Sequence, residues 1–212
     1  MIDFRLGNLY GLTGELEKAL SSYDIALTYC DQDTGLWQNQ GKTAWDLKQY
    51  GVAAESFLRA YELNSKKEPT LLFYTAVAWM YADQKEVALG VLEKLLADTA
   101  DSAQDEWLET YTNLCIEQKQ ADRALEHLSR WHTYFESRQT FWRLQALVHI
   151  QLHEYEKGAA NLKVLAAFGS LKTADKKLLA DLLLQINIPL EAVKLYEELL
   201  TQKPDDHQLY EK

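Results

Sequence analysis

Proline and glycine are scarce in this chain, with three prolines and nine glycines among 212 residues. Long irregular loops are therefore not expected, because their turns depend on these two residue types. Residues that favour helices, above all leucine, alanine, glutamate, lysine and glutamine, are frequent instead. No segment alternates between apolar and polar residues as a half-buried strand would. These features predict an all-α protein.

Cysteines and long apolar runs are also scarce. Cys30 and Cys115 are the only two cysteines and lie far apart, which disfavours a disulfide framework. We expect both to be buried, reduced thiols. No apolar run approaches the roughly 20 residues that cross a bilayer, and the first residues lack the basic and apolar regions of a signal peptide. We therefore expect a soluble chain without membrane insertion, in the cytoplasm or the periplasm.

Positive charge is in deficit, since 22 Lys and Arg face 32 Asp and Glu, for a formal net charge of −10. Nucleic-acid binding draws on clustered Lys and Arg, so nucleic acid is not an expected partner. His149 and His153 are four residues apart, but the glutamate of a zinc-binding HExxH motif is absent. No glycine-rich phosphate loop occurs either. We expect a core role for His149, and no catalytic residue, cofactor or metal.

What the chain does contain is a unit that recurs about every 34 residues. In each copy a small residue is followed four positions later by a bulky one, on one face of a helix. The small residues are Ala19, Ala53, Ala88, Ala124, Gly158 and Ala192, and the bulky ones are Tyr23, Phe57, Leu92, Leu128, Leu162 and Tyr196. A preceding helix also repeats a small residue, at Gly7, Gly41, Ala76, Thr112, Ala146 and Ala180. Six helix-turn-helix repeats therefore account for nearly the whole chain.

These residues resemble the tetratricopeptide repeat, which has small, aromatic and proline residues at set positions. Repeat two matches it at Trp37, Gly41, Ala53, Phe57 and Ala60. Repeat six matches it at Ala192, Tyr196 and Pro204. Repeats three and four depart from glycine and from the aromatic residue at Ala76, Thr112, Leu92 and Leu128. The resemblance implies an all-α, right-handed α-solenoid of tandem helix-turn-helix units. Because both ends of the chain interrupt the repeat pattern, we expect it to be part of a longer bacterial protein.

The spacing predicts a single array over residues 1–212. Its units are 1–33, 34–68, 69–104, 105–138, 139–172 and 173–206, and residues 207–212 would begin a further helix that is cut short. Turns are expected at Thr13-Gly14, Asp83-Gln84 and Asn187-Ile188-Pro189, the last with proline in the first turn of a helix. The joint from Ala97 to Asp105 has two residues more than the regular spacing, so we expect it to be the loosest.

In the resembled family the first helices line a concave surface, and projecting its binding positions onto this chain gives the candidate site. The candidates are Phe4, Asn8, Lys42, Trp45, Phe73, Val77, Met80 and Tyr81. Aromatic and aliphatic groups exposed there would form an apolar patch that anchors a partner. The alternative is that they fill the contacts between repeats. The carboxylate clamp of chaperone-tail-binding members is not expected, because Phe4, Phe73 and Val77 stand where cations are required.

The resemblance implies a non-catalytic scaffold that binds a peptide or a helix of another protein on its concave face. Two alternatives stay open. The chain is a docking or regulatory region of a larger enzyme, or it is a periplasmic accessory of a cell-envelope energy-transduction or transport assembly. Repeats five and six are similar to such accessories at Gly169-Ser170-Leu171 and Asn187-Ile188-Pro189. A homodimer formed through the ends of the array is a further option for the partner.

Overall fold

The computed structural model describes residues 2–64 and 68–202, and within these residues it contains twelve α-helices and no strand. The helices are α1 (Ile2–Thr13), α2 (Leu16–Leu27), α3 (Thr34–Asp46), α4 (Tyr50–Leu63), α5 (Pro69–Tyr81), α6 (Lys85–Asp98), α7 (Asp105–Glu117), α8 (Ala121–Phe135), α9 (Gln139–Gln151), α10 (Tyr155–Ala167), α11 (Thr173–Gln185) and α12 (Pro189–Gln202). The predicted all-α class and six helix pairs are confirmed. Pro204 and the further helix predicted from residue 207 lie outside the described residues.

The helices group into two compact units. The N-terminal unit is Met1–Ala103, with α1 to α6, and the C-terminal unit is Gln104–Lys212, with α7 to α12. Within each unit every helix packs against the next one along the chain. The division falls inside the joint from Ala97 to Asp105, which the spacing marks as the loosest. The single continuous array over residues 1–212 stays a prediction.

Every first helix ends in the same kind of turn. A residue with positive φ follows each of them, and these residues are Gly14, Lys48, Asp83, Lys119, His153 and Asn187. The next residue donates its backbone N–H to the carbonyl five positions earlier, for example Gln49 to Ala44 at 2.8 Å, as in a Schellman motif. The turn residues are 34, 35, 36, 34 and 34 residues apart. The backbone therefore shows the same register as the small residues, and the three predicted turns are confirmed.

The positions predicted for small residues lie at the closest contacts between helices, and all of them are buried. In the first two repeats a glycine faces an aromatic ring. A Cβ atom would lie 2.6 Å from Tyr23 Cε1 if built at Gly7, and 2.7 Å from Phe57 Cε1 if built at Gly41. Repeats three, four and five have Ala or Thr in place of glycine and Leu in place of the aromatic residue. Because leucine is shorter than a ring, it leaves space for the extra methyl group.

Two expectations about burial have different outcomes. Cys115 is buried, but Cys30 is exposed, so the expectation of two buried thiols is wrong for Cys30. The physical reason is that α2 ends at Leu27, which places Cys30 in the loop before α3, where no helix covers it. Among the described residues, no helix combines the length and the apolar character that crossing a membrane requires.

Candidate functional site

The eight predicted residues lie on the first helices of the N-terminal unit. Phe4 and Asn8 are on α1, Lys42 and Trp45 on α3, and Phe73, Val77, Met80 and Tyr81 on α5. Lys42 and Tyr81 are exposed, Phe73 is buried, and the other five are half-buried. Of the eight, Tyr81 is the one exposed apolar residue, and the binding role of the set stays a prediction.

Phe73 is only 9% exposed, so the expectation that it contributes to an exposed patch is wrong. Helix α5 has the sequence PTLLFYTAVAWMY and is apolar on nearly all sides, because it packs against both α4 and α6. A residue at this position of α5 is therefore covered, whereas Phe4 at the same position of repeat one is half-buried. We assign Phe73 to the core of the N-terminal unit.

The two candidates on α1 make contacts within the N-terminal unit. The Phe4 ring lies 6.2 Å from the Tyr23 ring, measured between centroids. Asn8 Oδ1 accepts one hydrogen bond from Tyr23 Oη at 2.8 Å and a second from Asn39 Nδ2 at 2.9 Å. Asn8 thereby connects α1 with α2 and α3, and its carbonyl oxygen already has two donors. Both residues therefore contact neighbouring helices and contribute little to the exposed surface that the first helices of the repeats form.

The structure brings Trp45 and Tyr81 together and adds a third ring, Tyr50. The ring centroids are 5.2 Å apart for Trp45 and Tyr81, 5.2 Å for Trp45 and Tyr50, and 5.1 Å for Tyr50 and Tyr81. We call these three residues the aromatic cluster. Tyr50 was not among the sequence-based candidates because it opens the second helix α4. Its position in the sequence, directly after the turn at Lys48, indicates that the chain reverses there and brings Tyr50 back beside Trp45.

The indole of Trp45 differs in its hydrogen bonding from the indoles of Trp37 and Trp142. Trp37 and Trp142 each donate their indole N–H to a backbone carbonyl at 2.7 Å. By contrast, Trp45 Nε1, Tyr50 Oη and Tyr81 Oη have no hydrogen-bond partner within residues 2–64 and 68–202. Of these three residues, Tyr81 is exposed, and Trp45 and Tyr50 are half-buried.

Charged residues of both signs lie close in sequence to the residues of the aromatic cluster. Lys42 and Asp46 flank Trp45 on α3, and Lys48 follows in the turn. Asp83 follows Tyr81, with its carboxylate 4.0 Å from the ammonium of Lys85. The charged side chains at 42, 46, 48, 83 and 85 thus comprise three cations and two anions, in a chain whose formal net charge is −10.

The C-terminal unit has a small polar cavity of about 80 Å³. It is lined by Glu109, Gln139, Thr140, Arg143, Leu165, Ser170, Leu171, Lys172 and Asp175. Arg143 Nε donates to Asp175 Oδ1 at 2.8 Å, and the Asp175 carboxylate is buried. Thr140 Oγ1 donates to Asp105 Oδ2 at 2.7 Å. These polar groups tie α9 to α7 and α11, so we interpret the cavity as part of the joint between repeats.

Histidine and carboxylate groups in the C-terminal unit form a local network. The buried His149 has its Nδ1 2.6 Å from Glu154 Oε2, and Lys157 Nζ donates to Glu154 Oε1 at 2.7 Å. Hydrogen bonds from Lys157 and from His149 lower the pKa of the Glu154 carboxyl. His149 is therefore a partnered core residue, as its place in the repeat predicts. Among the residues that the structure describes, no cluster of three or more His, Cys, Asp or Glu could hold a metal ion.

Glu154→Gln is expected to lower the melting temperature at neutral pH, with a difference from wild type that disappears in acid. The folded-state pKa of Glu154 is depressed, so its contribution is present above the unfolded pKa of about 4.3 and is lost as the pH falls through the folded pKa. Thermal unfolding followed by circular dichroism across acidic and neutral pH measures this. Glu156→Gln, an exposed change on the same helix, is the control; a Glu154→Gln deficit that stays constant down to acid pH would contradict the prediction.

Comparison with known proteins gives one family and several similar structures. The family model described as the tetratricopeptide repeat matches residues 34–67. The chain is similar to YrrB, described as a TPR protein with an unusual peptide-binding site, with TM-score 0.61 and 13% identity over 88% of this chain and 94% of that one. It is also similar to PilW, a widely conserved type IV pilus biogenesis factor, with TM-score 0.61 and 16% identity over 99% and 96% of the two chains.

A third similar structure is much longer than this chain. The Naa15/Naa10 complex bound to HypK-THB matches with TM-score 0.70 and 16% identity, over 98% of this chain but 32% of that one. No curated protein sequence matches the chain. At identities this low, the similarity to solved structures concerns the fold alone.

Proposed function

We propose, since the chain is a tetratricopeptide-repeat protein, that it is a non-catalytic scaffold that binds a peptide segment of another protein. Proteins with this fold generally mediate protein-protein interactions, and the similar structure YrrB is described with a peptide-binding site. The binding surface that we propose is the first-helix face of the N-terminal unit, around the aromatic cluster. Lys42, Val77 and Met80 lie within one helical turn of the cluster and border it.

The observation that carries this proposal is an exposed aromatic ring that contacts with two other rings hold in place. Tyr23, Phe57 and Phe73 are all buried in the N-terminal unit, whereas Tyr81 is 62% exposed. Tyr81 is nevertheless held in place by ring contacts with Trp45 and Tyr50. A rigid, exposed aromatic surface suits a binding anchor, because little side-chain entropy is lost when a partner covers it.

The other functions stated from the sequence stay predictions. A docking region of a larger enzyme and a periplasmic accessory of a cell-envelope assembly would each use the same surface, with different partners. A homodimer through the ends of the array would not need that surface. The experiment below concerns the surface itself, so it applies to the scaffold and to both of its variants.

Tyr81→Ala is expected to weaken peptide binding about tenfold, or about 1.4 kcal/mol, because it removes an exposed anchor. The probe is a phage library of random dodecapeptides selected on the wild-type protein, followed by synthesis of the enriched peptides. Fluorescence anisotropy then gives the Kd of each peptide for wild type and variant. Since Tyr81 is largely exposed, its removal should leave helicity unchanged by circular dichroism.

The matched control is Tyr29→Ala, which removes another tyrosine of the N-terminal unit that is 84% exposed but lies in the loop after α2. It is expected to leave every Kd unchanged. If the enriched peptides bind Tyr81→Ala as tightly as wild type, the proposed surface is wrong.

A further inference from the structure

We infer that copies of this protein associate head to tail, with α12 of one copy packed on α1 of another as α2 packs on α3 within the chain. The surfaces concerned are separate from the aromatic cluster, so the inference goes beyond the proposed function. Three observations lead to it: an exposed apolar face on α1, a matching face on α12, and the register in which consecutive repeats pack.

Helix α1 exposes a face whose counterpart is buried in every later repeat. Ile2, Leu6 and Leu9 are exposed, and they lie five residues before, one before and two after the small residue of α1. In α3, α5, α7, α9 and α11 the three residues at these positions are all buried. On α3 they are Leu36, Gln40 and Thr43. Helices α3, α5, α9 and α11 each pack against the second helix of the preceding repeat. A second helix is therefore the kind of element that covers this face.

Helix α12 is a second helix with the matching face exposed. Val193 directly follows the small residue Ala192 and is 50% exposed. The residue at this position is buried in α2, α4, α6 and α10 and half-buried in α8. Among the described residues, the two surfaces that meet between consecutive repeats are thus both present in exposed form, one on α1 and one on α12. A second copy of the chain can supply each with its counterpart.

Two exposed leucines extend these faces by one helical turn each, at positions that are mostly polar in other repeats. Leu12 follows Leu9 on α1, and Leu190 precedes Val193 on α12. The residues at the position of Leu12 in later repeats are Asp46, Tyr81, Glu117, Gln151 and Gln185. Those at the position of Leu190 in earlier repeats are Glu17, Gly51, Glu86, Asp122 and Glu156. An apolar surface that is extended at both of these positions is typical of an interaction site.

Contacts between consecutive repeats show how a second helix lies on the next first helix. Phe141, near the start of α9, has its ring centroid 5.4 Å from that of His132, near the end of α8. Tyr81, at the end of α5, has its ring centroid 5.1 Å from that of Tyr50, at the start of α4. The two helices of such a contact are therefore antiparallel. Phe141 has the position of Ile2 in its repeat.

The same register, applied to α12 and α1, brings apolar residues of the two helices together along the contact. The pairs are Ile2 with Leu200, Leu9 with Val193, and Leu12 with Leu190. Leu200 has the position of His132, and Leu190 comes one residue after the position of Tyr50. Every pair consists of two aliphatic side chains, so burial of apolar surface would drive the association.

The charges at this contact are complementary. Arg5 on α1 and Glu197 on α12 are exposed, and neither has an ion-pair partner within residues 2–64 and 68–202. Glu197 has the position of Asp24, whose carboxylate accepts a hydrogen bond from Gln40 of the next repeat at 2.7 Å. The position of Gln40 on α1 directly follows Arg5, so the register brings the Glu197 carboxylate close to the Arg5 guanidinium.

The remaining charged groups of α1 and α12 are directed elsewhere. Two carboxylates of α12 already have partners in the C-terminal unit, and the pairs are Glu191 with Lys163 and Glu198 with Lys176. Lys194 has a position that is exposed in all six second helices. Asp3 has the position of Lys176, whose partner belongs to the same repeat. The contact between α12 and α1 therefore brings together no pair of like charges.

Sedimentation velocity over a range of protein concentrations tests the inference. Wild type is expected to form species larger than a dimer as the concentration rises, because each copy has both surfaces. Leu9→Asp blocks the face on α1 and Val193→Asp the face on α12, so each variant alone is expected to associate at least about tenfold more weakly. The control is Ile25→Asp, which changes an apolar residue of α2 that is 49% exposed, and it should associate like wild type.

A mixture of the two variants distinguishes head-to-tail association from symmetric pairing. Equal amounts of Leu9→Asp and Val193→Asp protein are expected to form a dimer and nothing larger, because one intact α1 face and one intact α12 face remain for each pair. Such a dimer, together with circular dichroism, would show that both variants are folded. If either variant alone dimerises as readily as wild type, the inference is overturned. A mixture that stays monomeric, or a wild type that is monomeric up to millimolar concentration, also overturns it.

Discussion

Ala53→Asp is expected to lower the free energy of unfolding by about 3 to 5 kcal/mol. Ala53 is 0% exposed and sits where the second helix of repeat two packs closely, at a position occupied by alanine or glycine in every repeat. A carboxylate there would be buried without a cation or a hydrogen-bond donor, in a space that fits one methyl group. Both the desolvation of the charge and the overpacking oppose folding.

Urea unfolding followed by far-UV circular dichroism measures this loss. The control is Val52→Asp, which introduces the same side chain one residue earlier on α4, where the native residue is 38% exposed. That change is expected to alter stability by less than about 1 kcal/mol. An Ala53→Asp protein with the unfolding midpoint of wild type would show that the register assigned to the repeats is incorrect.

Gly41→Ala is expected to destabilise the protein by about 1 kcal/mol, although the same change in an open helix is stabilising. The new Cβ would lie 2.7 Å from Phe57 Cε1 and 2.8 Å from Phe57 Cδ1, so the ring would have to move within a packed core. Overpacking of this kind typically costs about 1 to 3 kcal/mol, whereas alanine is about 1 kcal/mol better than glycine in a helix interior. A decrease in the free energy of unfolding would therefore indicate the contact between residue 41 and the Phe57 ring.

In a protein that already carries Phe57→Leu, Gly41→Ala is expected to lower the free energy of unfolding much less than it does in the wild type. The double variant reproduces the combination of alanine and leucine found at Ala76 and Leu92 in repeat three. The control is Gly51→Ala on α4, where a Cβ would meet nothing within 4 Å, and it is expected to stabilise by about 0.5 to 1 kcal/mol. Strictly additive effects of Gly41→Ala and Phe57→Leu in a double-mutant cycle would contradict this account.

The fold could be predicted from the sequence because its determinants are local and repeated. Small residues recur where helices approach closely, and the residues of each turn follow at the same offset. The departures in repeats three and four could be noted from the sequence but not explained. Their explanation needs the distance between a Cβ atom at Gly41 and the Phe57 ring, which shows that these two positions are in direct contact.

The candidate site could be predicted only in part, because exposure depends on neighbours rather than on position in the repeat. Phe73 was placed at the surface by its position, yet α5 packs on two sides and buries it. Tyr50 was missed because it belongs to the second helix and reaches Trp45 across a turn. Trp45 and Tyr81 lie on helices of different repeats, and their contact requires those helices to be adjacent in space.

The turn after each first helix has a consequence for how fast the chain folds. Residues that meet across a helix pair are close in sequence, as with Tyr23 and Asn8, which are 15 residues apart. Closing such a short segment loses little chain entropy, and proteins dominated by local contacts fold in microseconds to milliseconds. In each pair the first helix is also terminated by its own turn, whose hydrogen bonds join residues that are close in sequence. Folding can therefore begin at any helix pair and spread to its neighbours, so that no single pair must form first.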